Sequence, residues 1–189
     1  MARTQPPRAV VSEELDWGSA PSAVRVPDRP FDDFYRAEMP GLVALARALC
    51  GGSVADDVAQ EAMLAAYRRW SHVSSLEWPE AWVRRTCANL AVSQVRRRLV
   101  EVRALTRVVE RWTSPGPDLD AEAVDFWREV RRLPARQAQV VALHYLCDLS
   151  VDEVATTLEI HPGTVKVHLS RARAELQRVL AASAGSESP

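Results

Sequence analysis

The stretch SVDEVATTLEIHPGTVKVHLSRARAEL, residues 150–176, decides how the rest of the chain is read. Ser150 and Glu153 form the S-x-x-E pattern of a capping box, in which each residue satisfies a free backbone donor of the other at a helix start. Val154, Ala155 and Leu158 supply one apolar face to the short helix that follows. Glu159-Ile160-His161 makes a turn, and Pro162 suits the first position of a new helix because its missing N–H would find no partner there. A short helix, a tight turn and a longer basic helix is the layout of a helix-turn-helix.

On a wheel advancing about 100° per residue, Val165, Leu169, Ala172 and Leu176 fall together and face a core. The opposite side presents Gly163, Val167, Ser170, Arg171 and Ala174, with Lys166 and Arg173 on one flank and Thr164 and His168 on the other. A helix entering a major groove needs a face that is small at its centre and basic at its rims. Arg171 can fork onto guanine, while Lys166, His168 and Arg173 can reach phosphates or neighbouring bases. A basic terminal helix is also compatible with a merely solvated face; the capping box and the preceding helix favour DNA.

Upstream, Ala121 to Leu133 and the segment opened by Pro134, with Val140, Val141, Leu143, His144 and Leu146, read as two more helices. Further back, Ser114-Pro115-Gly116-Pro117 breaks all periodicity, so residues 108–121 are expected to be a linker between two helical units. The second unit spans 122–181, and 182–189 is expected to be a disordered tail. The first unit, 30–107, begins with Phe31, Phe34, Tyr35, Leu42, Leu45, Ala46 and Leu49 at helical steps, interrupted by Pro40 and stopped by Gly51-Gly52. Ser53 is the expected N-cap of a second helix with Asp56 and Asp57 in its first turn. Pro79 opens a third, whose stripe runs Trp82, Val83, Thr86, Cys87, Leu90, Ala91 and Val95. Residues 1–29, with four prolines and no apolar period, read as a flexible tail. Strand-like alternation is missing throughout, so the fold class is all-α.

Two further constellations stand out. Between Arg84 and Arg107 there are seven arginines against Glu101 alone, a local balance of +6, with Asn89, Ser93 and Gln94 among them and Trp78 and Trp82 just upstream. Cations beside amide groups suit a nucleic-acid strand held by phosphate contacts and base-edge hydrogen bonds. Trp82 lies on the apolar stripe and reads as core. The other constellation has the opposite sign: Asp57, Gln60 and Glu61 share one side of the second helix at i, i+3, i+4, either a solvated helix face or a docking surface for a basic partner.

Composition bounds these readings. The 189 residues carry 24 basic and 25 acidic side chains, a formal charge of −1, which excludes a protein that coats nucleic acid by bulk charge. Lys166 is the sole lysine; the arginine bias fits planar contacts to phosphate and guanine and equally a GC-rich genome. Cys50, Cys87 and Cys147 are odd in number and widely spaced, which argues against a disulfide scaffold and for a reducing cytosol. Neither a membrane span nor a signal-peptide core is present in the pattern, so a soluble intracellular protein is expected. His144, Cys147 and His161 match no zinc spacing, and the sequence lacks a glycine-rich phosphate loop, a zinc-protease motif and a nucleophile elbow. No catalytic residue, metal site or cofactor is therefore expected.

Three stretches together resemble bacterial RNA polymerase sigma factors of the small, extracytoplasmic-function type. They are FDDFYRAEMPGLVALARALCGGSVADDVAQEAMLAAYRRW (31–70, with D-x-x-Q-E at Asp57 to Glu61), PEAWVRRTCANLAVSQVRRR (79–98) and LPARQAQVVALHYLCDLSVDEVATTLEIHPGTVKVHLSRARAEL (133–176). The resemblance implies that Asp57, Gln60 and Glu61 dock on the clamp coiled coil of core RNA polymerase. It implies that Asn89, Ser93, Arg96, Arg97 and Arg98 read and help melt the −10 element of promoter DNA. The last helix, through Lys166, Val167, His168, Ser170 and Arg171, flanked by Thr164 and Arg173, would read the −35 element as duplex. An anti-sigma factor is implied as a further partner; a small-molecule substrate and membrane insertion are not. Ser93 stands where such families usually have Asp, and Val167 and His168 where Arg or Ser is common, so base preference is left open. Two other readings remain at this point: an autonomous dimeric helix-turn-helix regulator, for which no dimerisation helix or sensor domain is evident, and an all-helical interaction protein.

Overall fold

The computed structural model describes residues 30–104 and 121–185; the expected linker and both expected tails lie mostly or wholly outside the described residues. Among the described residues there are eight helices and no strand. The first unit holds α1 (Phe31–Cys50), α2 (Gly52–Arg68), the single turn α3 (Trp70–Val73) and α4 (Pro79–Ala104). The second holds α5 (Ala121–Val130), α6 (Ala135–Tyr145), α7 (Val151–Leu158) and α8 (Pro162–Gly185).

α1 carries Asp32 and Asp33 in its first turn and Arg47 in its last, each with the sign that the helix dipole favours. Pro40 neither splits nor ends it. The proline is exposed, whereas Phe34, Leu42, Leu45, Ala46 and Leu49 are buried on the other side, and that packing holds the helix through one missing hydrogen bond. Gly51 then turns the chain in one residue: at φ +84 its N–H still donates to the Arg47 carbonyl at 3.0 Å, a backbone conformation that L side chains rarely adopt.

The start of α2 differs from the expectation. The helix begins at Gly52 with Gly51 in the cap position, and Ser53 makes no side-chain cap. Asp56 and Asp57 consequently sit beyond the first turn. The Ser53 hydroxyl instead accepts from Arg98 Nη2 at 3.2 Å and Nη1 at 3.3 Å, a long-range partner that local spacing does not reveal. Ala55, Ala59, Ala62 and Ala66 are fully buried, and their small side chains let α2 lie close to α1 and α4. Val83, Cys87 and Ala91 of α4 complete this core.

In the second unit α5 ends at Val130, three residues short of the helix expected to Leu133, because the residue before Pro134 is driven from helical into extended backbone. The capping box forms as read: Glu153 N–H donates to Ser150 Oγ at 3.2 Å and Ser150 N–H to Glu153 Oε2 at 2.8 Å. Those bonds hold the Glu153 carboxyl below its usual range. Glu159 closes α7 in the left-handed region at φ 51, its N–H directed to Ala155 and Thr156 carbonyls. At the head of α8, His161 Nδ1 accepts from Gly163 N–H at 3.0 Å, a cap that residue type alone does not announce. A Cβ on Gly163 would meet that nitrogen at 3.0 Å, so the glycine leaves room for the capping ring. Val165, Leu169, Ala172 and Leu176 are buried against Val141, Leu143, Val154 and Leu158, the face that the wheel selects.

The two units dock. α5 and α6 pack on α1, and α7 packs on α4. Arg131, just after α5, donates through Nη1 to the Ala48 and Arg47 carbonyls at 3.3 and 3.4 Å, placing a cation at the C-terminal end of α1.

Candidate nucleic-acid interface

Three surfaces carry the residues singled out above. On α8, Thr164, Lys166, Val167, Ser170, Arg171 and Arg173 are all exposed, and Val167 is 47% exposed at the centre of the face. An exposed valine flanked by cations leaves a shallow apolar centre suited to a thymine methyl or a base edge. Arg173 is held rather than free: its Nε donates to Tyr145 Oη at 2.6 Å, and its guanidinium lies 5.6 Å from the centre of that ring. Tyr145, at the end of α6, is thus a partner of the reading face that spacing along α8 does not predict.

His168 departs from its expected part. It is half-buried, and its Nδ1 is sealed from solvent without a hydrogen-bond partner. Desolvation, then the nearby Arg171 and Arg136 charges, push its pKa below the ordinary histidine value. At neutral pH it is a neutral ring and contributes no phosphate-binding cation.

On α4, Asn89, Ser93, Arg96 and Arg97 are exposed, and Arg98 is half-buried with its guanidinium on Ser53. Asn89 is already engaged: its Oδ1 accepts from Gln139 Nε2 of α6 at 3.0 Å. Arg136 Nη1 donates in turn to Gln139 Oε1 at 3.1 Å, which orients the amide. Gln139 is only 3% exposed, a buried polar side chain whose two ends are both satisfied. Of the two tryptophans near this helix, Trp82 packs on the core as expected, whereas Trp78 is 53% exposed just before α4 begins.

On α2, Asp57, Gln60 and Glu61 are exposed along one side, and the structure adds apolar neighbours to them. Phe31, Tyr35, Leu64 and Tyr67 line an open groove with the three polar residues, and Tyr67 is 60% exposed. Tyr67 meets Phe31 in a tilted pair with ring centres 5.0 Å apart, and Phe31 in turn meets Trp70 edge-on at 5.2 Å. The signal was present in the spacing: Asp57, Gln60, Glu61 and Leu64 continue one helical face. An acidic patch beside exposed aromatic surface is the composition of a protein-docking site, anchored by apolar contact and oriented by charge.

The thiols take no part in these surfaces. Cys50 and Cys87 are buried, and burial pushes their pKa up to about 11 and about 12, so both remain thiols. His144 Nδ1 lies 2.6 Å from the Leu149 carbonyl, which it meets as a donor in the turn ahead of α7. Among the described residues no helix is long and apolar enough to cross a membrane.

Comparison with known proteins locates these surfaces in a family. Residues 34–99 match the family description Sigma-70 region 2, and residues 123–176 match Sigma-70, region 4. The chain is similar to the ECF RNA polymerase sigma factor SigM of Mycobacterium tuberculosis, with 31% identity over 154 residues that cover 79% of this chain and 76% of the relative. It is 28% identical over 153 residues to the RNA polymerase sigma-E factor of Streptomyces coelicolor, covering 80% of this chain and 86% of that one. Among solved structures, the sigma factor RpoE from Bartonella quintana, in complex with the anti-sigma factor NepR, superposes with a TM-score of 0.64 at 25% identity, covering 80% of this chain and 96% of its own.

Proposed function

Since the chain belongs to the extracytoplasmic-function family of RNA polymerase sigma factors, we propose a division of labour among its three surfaces. The chain binds core RNA polymerase and directs promoter-specific initiation of transcription. The groove of Asp57, Gln60 and Glu61, with Leu64 and Tyr67 at its apolar side, docks on the polymerase clamp. Asn89, Ser93, Arg96, Arg97 and Arg98 of α4 engage the −10 element as its strands part. Thr164, Lys166, Val167, Ser170, Arg171 and Arg173 read the −35 element as duplex, with His168 as a neutral neighbour. The chain supplies recognition, while nucleotide addition belongs to the polymerase, and it acts in the cytoplasm where that enzyme works. An anti-sigma factor is its expected regulator; the solved relative is in complex with one, NepR.

The observation that carries this reading is the coexistence on one chain of an acidic groove with apolar walls and two separate basic helix faces. A chain of formal charge −1 neutralises few phosphates at once, so either face alone binds duplex weakly at physiological salt. Held on one polymerase, the two faces act at high effective concentration on the same promoter.

Run-off transcription with purified core polymerase and a promoter library tests the reading. Wild-type chain should select discrete start sites preceded by two common elements. The double variant Asp57→Arg/Glu61→Arg should abolish selection while leaving the helical circular dichroism intact, because both side chains are exposed. Wild-type chain that selects no start site would refute the reading.

A further inference from the structure

Tyr145 belongs to α6, yet its hydroxyl reaches the flank of α8. The pair it makes with Arg173 lies at the surface, with both residues exposed. Tyr145 Oη accepts from Arg173 Nε at 2.6 Å, and the guanidinium carbon is 5.6 Å from the ring centre. The ring is itself braced. His144 meets it edge-on with centres 4.8 Å apart, and His144 Nδ1 is fixed on the Leu149 carbonyl at 2.6 Å. A run of contacts thus ties the turn ahead of α7 to a cation on the reading helix.

The donors left over point outward to an anion. An arginine bonded through Nε keeps its terminal amino groups, and a phenol that accepts a bond keeps its own proton to donate. No carboxylate pairs with Arg173 among the described residues. Residues 160–174 hold no acid, and Glu175 is taken by Arg178 at 2.6 Å. An exposed hydrogen bond competes with water and adds only modestly to stability. What the bond to Tyr145 does provide is order: it holds a long side chain in one place before any ligand arrives, which lowers the cost of binding.

We propose that Tyr145 and Arg173 form a two-element clamp for one DNA phosphate at the rim of the −35 site, the guanidinium and the phenol hydroxyl both donating to it. The inference rests on the assignment of α8 to the −35 element and adds to it a contact from α6. A helix lying in a groove turns its flanks to the two backbones, and Arg173 is on a flank. Tyr145 comes to that flank from outside α8, where a bordering phosphate would lie. The clamp fixes register and carries no base information, in contrast to Arg171 at the centre of the face.

The test is competition binding of reconstituted holoenzyme, made with the full chain, to a promoter that wild type selects. Phosphates around the −35 element are replaced singly by neutral methylphosphonates. With wild type, one phosphate at the edge of the element should cost about tenfold when neutralised, as the loss of a charge-assisted hydrogen bond does. Arg173→Ala should erase that penalty. Tyr145→Phe, which keeps the ring, should weaken binding to unmodified DNA about three- to tenfold, shrink the penalty at the same phosphate, and leave −35 base preference as it was. The double variant should lose less than the product of the two single losses, because the partners act on one ligand. A variant that is merely less stable would weaken every probe in proportion and leave the profile of the scan unchanged. An unchanged penalty in Tyr145→Phe overturns the proposal, as does relaxed base preference in that variant, or single losses that multiply. A wild type without −35 base preference refutes the assignment of α8, whereas preserved preference beside an unchanged scan refutes the clamp alone.

Discussion

The two helices assigned to DNA, α4 and α8, are built alike and presented differently. Each is long, buries one stripe and turns a basic face outward. The outward face of α8 meets little but Tyr145 and solvent. A stripe of α4 is instead occupied by Gln139, Glu159 and the wall of a cavity. The contrast teaches that a basic helix is defined by what lies against it as much as by its own sequence. α8 presents its basic face to solvent, whereas part of the outward side of α4 is shared with the second unit.

The contrast can be broken most forcefully on the buried side of α8. Leu169→Ala removes a nearly fully buried side chain from the core of the second unit and should cost about 2–5 kcal/mol of its stability. The exposed neighbour Ser170→Ala should leave the thermal melt within about 0.5 kcal/mol of wild type. Equal destabilisation by the two would mean that the helix is rotated from the orientation described.

Next in size are the outward cations. Arg171→Ala should lower affinity of the holoenzyme for its promoter by about 1–3 kcal/mol and relax selectivity at one −35 base pair, because a forked guanine contact carries sequence information. Arg97→Ala on α4 should instead weaken binding evenly across promoters and reduce the salt slope by about one, as a phosphate contact does. Competition binding against a promoter set at several salt concentrations distinguishes these outcomes.

How far the sequence alone reached follows the same divide. The wheel of α8 named its buried and exposed sides residue by residue because both are set by a local period of about 3.6. The capping box was legible for the same reason, since its partners lie three residues apart. Local spacing marks Ser53 as a cap, whereas its actual partner, Arg98, is distant in the chain. Nothing in their own neighbourhood marks Gln139, Glu159 or Arg131 as inter-unit partners; each acquires that part through a contact with the other unit. The apolar half of the docking groove fell between these cases. Leu64 continues the helical face of Asp57, but Phe31 and Tyr35 reach it from a different helix.

The smallest expected effect concerns His168. Its folded-state pKa lies below the unfolded value of about 6.5, so the unfolded chain binds the proton more readily. Its contribution to stability is therefore complete above that value and declines as pH falls through it. The unfolding midpoint should drop between about pH 7.5 and pH 5.5, and His168→Gln should flatten part of that drop. An unchanged pH profile in the variant would remove the desolvated ring as its cause.

The central claim, that one chain seats two DNA-reading helices on one polymerase, is tested most directly by hydroxyl-radical footprinting of reconstituted holoenzyme on a selected promoter. The account predicts protection at two separate elements, with Arg171→Ala thinning the upstream patch and Asn89→Ala the downstream one. A single protected patch, or loss of both patches together from either substitution, would contradict it.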